Sequence, residues 1–297
     1  MPIPMYSSKE NKPQLPKSNI KNVVAIAAGK GGVGKSTVAV NLALALQSLG
    51  QRVGIFDADI YGPSVRKMLP EERPPSQQGD QLIPAICHGG IRMMSMAYFR
   101  TEKEAAAVRA PVATGIIKQF IQTVVWGDLD YLLIDFPPGT GDIQLTLSQQ
   151  AHLLGALMVT TPQEVALLDV RKAMHLFEQV QVPIVGIVEN MSYYQPAPTA
   201  EKVYLFGRSG GRKLAQATGV PFLGEVPIDP EICRCGDSGG SLIANQNATQ
   251  GAQAFIALAK GFMEEVDVLK KLSEDTLQNF ELTWREMPNV TTCHSTN

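Results

Sequence analysis

The sequence predicts a doubly wound α/β fold, a mostly parallel sheet with helices on both faces. Three observations predict it. Apolar runs of strand length recur along the chain, they lack polar alternation, and helical patterns fall between them. A strand that is apolar on both sides has to be covered on both sides, and alternation with helices supplies the cover.

In chain order, the first run is 23–28, followed by a glycine-rich turn and then the nearly all-apolar stretch 37–49, which ends at Gly50, a good helix C-terminal residue. Further strands are expected at 53–56, 82–86, 131–134, 156–160, 184–188 and 222–226. Between the last three, Ala173, Leu176, Phe177 and Val180 follow the i, i+3, i+4, i+7 spacing of an amphipathic helix. Residues 1–19 are polar and Pro-punctuated and read as a flexible tail. A single domain is expected over 20–264, with 265–297 as a helical or loose extension.

Composition narrows the function. With 26 Lys and Arg against 28 Asp and Glu, the 297-residue chain has a net charge of −2 and no positive field to hold nucleic acid or an anionic membrane. Four cysteines, Cys87, Cys233, Cys235 and Cys293, are too few for a disulfide framework and fit a reducing compartment. The start lacks a signal-peptide core and no run spans a membrane, so a cytoplasmic, soluble protein is expected. Cys87 reads as a core residue, and the four histidines show no ligand spacing.

The strongest motif is Gly29-Lys30-Gly31-Gly32-Val33-Gly34-Lys35-Ser36, set between an apolar strand and a helix. This is the phosphate-loop pattern G-x-x-x-x-G-K-[ST] in its proper context. Glycines let successive N–H groups turn toward phosphate oxygens, and the helix that follows, opening through Ser36 and Thr37, adds its positive end. Lys35 is expected on the β- and γ-phosphates of ATP and Ser36 on Mg²⁺. Acidic residues at later strand ends, Asp57 and Asp59 after the second strand and Asp135 after the run 131–134, suit the metal and the attacking water. The Pro137-to-Asp142 run after Asp135 is stiff at one end and flexible at the other, as a γ-phosphate sensor needs.

The loop with its extra lysine, Lys30, resembles the deviant phosphate loop of the MinD/ParA/nitrogenase-iron-protein class. That resemblance implies a homodimer in which Lys30 reaches the partner's nucleotide. It also assigns Asp59 to orienting water, Asp57 and Asp135 to the metal shell, Asn190 to the adenine and Pro227 to the wall of the base pocket. Four segments, 57–64, 135–142, 161–169 and 188–192, together with the loop, resemble the Mrp/ApbC-type iron–sulfur cluster carriers over roughly 23–258. The resemblance implies slow ATP hydrolysis and transfer of a cluster, of the 4Fe–4S type, from a homodimer to apo client proteins.

One departure stands out. The family's Cys-x-x-Cys pair aligns here with Pro196 and Thr199, and proline cannot ligate iron. Cys233-Arg234-Cys235 offers a relocated site, since two protomers giving two thiolates each supply four. Arg234 is expected to favour the thiolate form. Redox chemistry, or no function, is the other reading of this pair. Two further functions are weighed. A MinD/ParA-like positioning ATPase needs a basic amphipathic C-terminal helix, against which the mixed, acidic stretch from Glu264 argues. An ATP-gated adaptor without its own cluster fits the loss of the usual cysteines.

Overall fold

The computed structural model describes residues 18–60, 62–99, 110–244 and 249–285. The expected tail lies outside these residues except for its last two, and so do Tyr61 and Cys293. The elements run β1 (Asn19–Ala27), α1 (Lys35–Ser48), β2 (Val53–Asp57), α2 (Val65–Met68), β3 (Glu71–Arg73), β4 (Ser76–Gln78), β5 (Gln81–Ile83), β6 (Ala85–Cys87) and β7 (Arg92–Ser95). They continue through α3 (Ala110–Thr123), β8 (Asp128–Asp135), α4 (Asp142–Gln150), β9 (Gly155–Thr160), α5 (Glu164–Gln179), β10 (Ile184–Glu189), α6 (Gly210–Thr218), β11 (Phe222–Glu225), α7 (Pro230–Ser238) and α8 (Gln250–Arg285).

Nine strands of the described residues form one sheet in the order β11-β10-β9-β1-β8-β2-β7-β6-β3. All pairings from β11 to β7 are parallel, and β6 and β3 add an antiparallel edge. Side chains of β1 alternate between two cores. Val24 and Ile26 pack with α1 and α8, whereas Ala25 and Ala27 pack with α3, α4, α5 and α6. This is the doubly wound architecture expected.

Helix α1 is buried on almost every side, from Val38 through Leu46, because the sheet lies below it and α8 above. That double cover explains its near-continuous apolar sequence. It ends as expected: Gly50 sits at φ 84° and donates its N–H to the Gln47 carbonyl. Helix α8 buries Ala252, Phe255, Ala259, Phe262 and Val266 along one stripe and runs unbroken through Glu264.

One expected strand is not continuous. Pro84 divides 82–86 into β5, which pairs with β4, and β6, which joins the main sheet. Cys87 is fully buried, its thiol donating to the Leu69 carbonyl, and burial pushes its pKa up to about 12. No helix among the described residues is long and apolar enough to cross a membrane.

Candidate functional site

The site forms where three neighbouring parallel strands end. β8 lies between β1 and β2, and the register places Asp135 beside both Ile26 and Asp57. The strand order reverses here: the chain leaves β1 toward β2 on one side and later reaches β9 on the other. Crevices at the carboxyl ends of such strands are where ligands bind in open parallel sheets.

The loop 29–34 needs glycine at two positions for different reasons. At Gly34 the backbone is left-handed, φ 82°, where it starts α1. At Gly29 a Cβ would lie 2.1 Å from the carbonyl carbon of Asp169, so the loop packs directly on the backbone of α5. No side chain caps α1. Its first N–H groups are thus left for a ligand, and an anion is the ligand they suit.

Lys35, Ser36 and Asp135 converge. The Lys35 ammonium lies 2.6 Å from Asp135 Oδ1, and the Ser36 hydroxyl donates to Asp135 Oδ2 at 2.6 Å. Asp135 is fully buried: burial pushes its carboxyl up, while Lys35 and Ser36 pull it back. Asp57 is also fully buried, and its pKa rises to about 7, first through burial and then through the Asp135 charge. Two buried carboxylates facing one lysine fit a site that takes a divalent cation, and Ser36 with Asp135 is the pair that would hold Mg²⁺.

Asp57 and Asp59 diverge because β2 ends at Asp57; on a continued strand, positions two apart would share a face. Asp57 Oδ1 accepts the Asp59 N–H at 3.3 Å, and its Oδ2 accepts from Val65 N–H at 3.3 Å and from the Ser95 hydroxyl at 3.0 Å. Asp59 is half-exposed and accepts the Gly62 N–H at 3.1 Å. Lys30 is half-buried in the loop.

Asn190, after β10, donates its amide to the Val33 carbonyl at 2.8 Å and lies against Gly34, so in this structure it braces the phosphate loop. Pro227 is buried beside it, since Val226 pairs through backbone hydrogen bonds with both Glu189 and Ser192. Three further residues hold the site together; Ser95 and Gln144 lie outside every motif segment, and Glu189 lies within 188–192 without an assigned role. Ser95 holds Asp57. Gln144 donates to the Pro137 and Pro138 carbonyls at 3.2 and 2.7 Å. Glu189 accepts the Ser192 hydroxyl and the Gly211 N–H, both at 2.5 Å, and so ties the two ends of the 192–211 segment together.

The expected pair of thiolates is not formed. Cys233 and Cys235 lie on helix α7, where positions two apart point roughly 200° from one another. Cys233 is exposed and Cys235 buried, so one face of the helix offers one thiol. Two copies joined through that face would bring two thiols together, not four. Arg234 acts in the expected direction and lowers the Cys235 thiol, but burial and Glu231, with which Arg234 is ion-paired, outweigh it and push the thiol up. At the position of the usual cysteines, Pro196 and Thr199 lie in a turn that Gln195 closes onto the carbonyls of Pro198 and Ala200.

The raised Asp57 pKa has a signed consequence. Between about pH 4 and 7 the folded state retains a proton that the unfolded state has lost, so nucleotide-free stability falls as pH rises through that window. We expect the melting temperature of the nucleotide-free protein to drop as pH rises from about 4 to 7, and Asp57→Asn to flatten the drop. Thermal unfolding against pH checks this.

Comparison with known proteins agrees with this geometry. A family described as NUBPL iron-transfer P-loop NTPase, within the ParA group, matches residues 19–263. A Synechocystis protein named iron–sulfur cluster carrier protein is 46% identical over 255 residues, covering 84% of this chain and 72% of its own. Its namesake in Escherichia coli is 42% identical over 252 residues, covering 84% and 68%. The nucleotide-binding protein of Archaeoglobus fulgidus, solved with ADP, superposes with a TM-score of 0.64 at 38% identity over 74% of this chain and 87% of that one. The cell division ATPase MinD of Pyrococcus furiosus shares the fold, with a TM-score of 0.60 at 20% identity over 82% of this chain and 99% of its own. The chain therefore belongs to the NUBPL-type iron-transfer P-loop NTPases of the ParA group, and its phosphate loop is that of an ATPase.

Proposed function

We propose that this ATPase is an iron–sulfur cluster carrier that works as a homodimer and delivers its cargo to apo client proteins. The observation that carries the ATPase half is the convergence of Lys35 and Ser36 on the buried Asp135 at the mouth of an uncapped helix. The relatives' names and their 40–46% identity support the cargo half.

In this reading the loop N–H groups of residues 29–36 and the start of α1 at Thr37 cradle the phosphates of ATP. Lys35 exchanges its contact with Asp135 for phosphate oxygens, placing positive charge where negative charge grows during transfer. Ser36 and Asp135, with Asp57 behind them, would hold Mg²⁺, which would supply neutralising charge to the phosphates. Asp59, half-exposed and outside the buried pair, orients the attacking water. Asn190 and Pro227 border the base. Lys30 serves the partner's nucleotide, so Lys30→Ala should leave ATP affinity within about twofold but slow hydrolysis about tenfold or more. Undiminished turnover in that variant, measured by phosphate release, contradicts the shared-site dimer.

A second reading, an ATP-gated adaptor that holds no cluster itself, is favoured by Pro196 and Thr199 and by the opposed thiols of α7. Anaerobic incubation with ferrous iron and sulfide separates the two. The carrier reading expects broad sulfide-to-iron absorption in the visible, with iron and sulfide retained through desalting. A colourless, iron-free dimer with normal ATPase activity favours the adaptor.

A further inference from the structure

Ser95 belongs to none of the motifs, yet it is fully buried at the end of β7, in register with Asp57 on β2. Its hydroxyl has both roles assigned. The Ala97 N–H donates to Ser95 Oγ at 3.1 Å, leaving the hydroxyl hydrogen for Asp57 Oδ2 at 3.0 Å. This is the shortest of the three hydrogen bonds that orient the Asp57 carboxylate, and the one that comes from a side chain. The opposite oxygen, Oδ1, accepts the backbone N–H of Asp59.

We propose that Ser95 is a positioning residue of the ATPase: it fixes the rotation of the Asp57 carboxylate and, through the Asp57–Asp59 contact, the place of the Asp59 side chain beside the nucleotide. This rests on the role of Asp59 given above. Without the hydroxyl, the Asp57 carboxylate is held only by the two longer backbone bonds, from Val65 to Oδ2 and from Asp59 to Oδ1, both at 3.3 Å, and is less firmly oriented. The segment 57–59 then loses a fixed anchor, and a misplaced water-orienting group slows hydrolysis. The phosphate-binding groups come from the loop after β1 and from α1, the base is bordered by Asn190 and Pro227, and the Ser95 hydroxyl bonds instead to Asp57 and Ala97. The effect should therefore fall on kcat and spare affinity.

The test compares Ser95→Ala, Asp57→Asn and the double variant for ATP affinity and for single-turnover hydrolysis. The expected result is a kcat about tenfold lower for Ser95→Ala, the size typical of outer partners of a metal-site ligand, with ATP affinity within about twofold of wild type. In the Asp57→Asn background, Ser95→Ala should change kcat by less than about twofold, because its route is already cut. Undiminished turnover in Ser95→Ala, or a loss that multiplies fully with Asp57→Asn, overturns the inference. Should the alanine variant fail to fold, Ser95→Thr and Ser95→Cys replace it. The hydroxyl variant must then exceed the thiol variant severalfold, and equal turnover overturns the inference. Asp59→Asn in the same assay keeps the failures distinct: if it retains full turnover, the role given to Asp59 is wrong. If it loses turnover while Ser95→Ala does not, only Ser95 is wrongly placed.

Discussion

Lys35→Ala is expected to weaken ATP binding by about 100-fold or more, because charge-assisted hydrogen bonds are worth about 1.5–3 kcal/mol each and Lys35 is the loop cation placed to make more than one to phosphate. Isothermal titration with a non-hydrolysable ATP analogue measures it. The same change should also destabilise the nucleotide-free protein. Asp135 is fully buried and holds Lys35 at 2.6 Å, so removing the lysine leaves a buried carboxylate without its countercharge. Breaking such pairs costs roughly 3–5 kcal/mol, less whatever the carboxyl recovers by taking a proton. The deficit should thus be largest at high pH and shrink on acidification. Adding Asp135→Asn to Lys35→Ala should restore stability without restoring binding. An alanine variant that binds ATP normally would remove Lys35 from the site.

Asp59→Asn is expected to lower the hydrolysis rate about 100-fold while ATP affinity stays within about twofold, since a carboxylate that orients or deprotonates water contributes in the bond-making step. The structure separates it from Asp57 on physical grounds. Asp57 is fully buried and its oxygens are occupied by three protein donors, whereas Asp59 is half-exposed. Rapid-quench measurement of a single turnover decides the matter. If Asp57→Asn stops hydrolysis and Asp59→Asn does not, the two roles are exchanged.

Much of the site was legible because its chemistry is local. Six apolar runs mark six of the seven parallel strands, all but β7, and the phosphate loop with Lys35 and Ser36 is contiguous in sequence. Asp57 and Asp135 could be placed because each directly follows such a run. Ser95 and Glu189 could not be placed, because they act across 38 and 22 residues and depend on strand register and loop closure. The α7 helix was a missed local signal. Asp229 accepts the Glu231 N–H, Pro230 takes the first turn and Glu231 follows, an ordinary helix start that places Cys233 and Cys235 on opposite sides. Counting cysteines without that periodicity paired two thiols that the backbone separates.

The central claim, that ATP turnover serves delivery of an iron–sulfur cluster, is tested most directly by incubating the reconstituted protein with an apo iron–sulfur enzyme and following the recovery of that enzyme's activity. The account predicts recovery that depends on this protein, changes with Mg²⁺-ATP and is lost for Lys35→Ala. Recovery no faster than with free iron and sulfide, whatever the nucleotide, would contradict it.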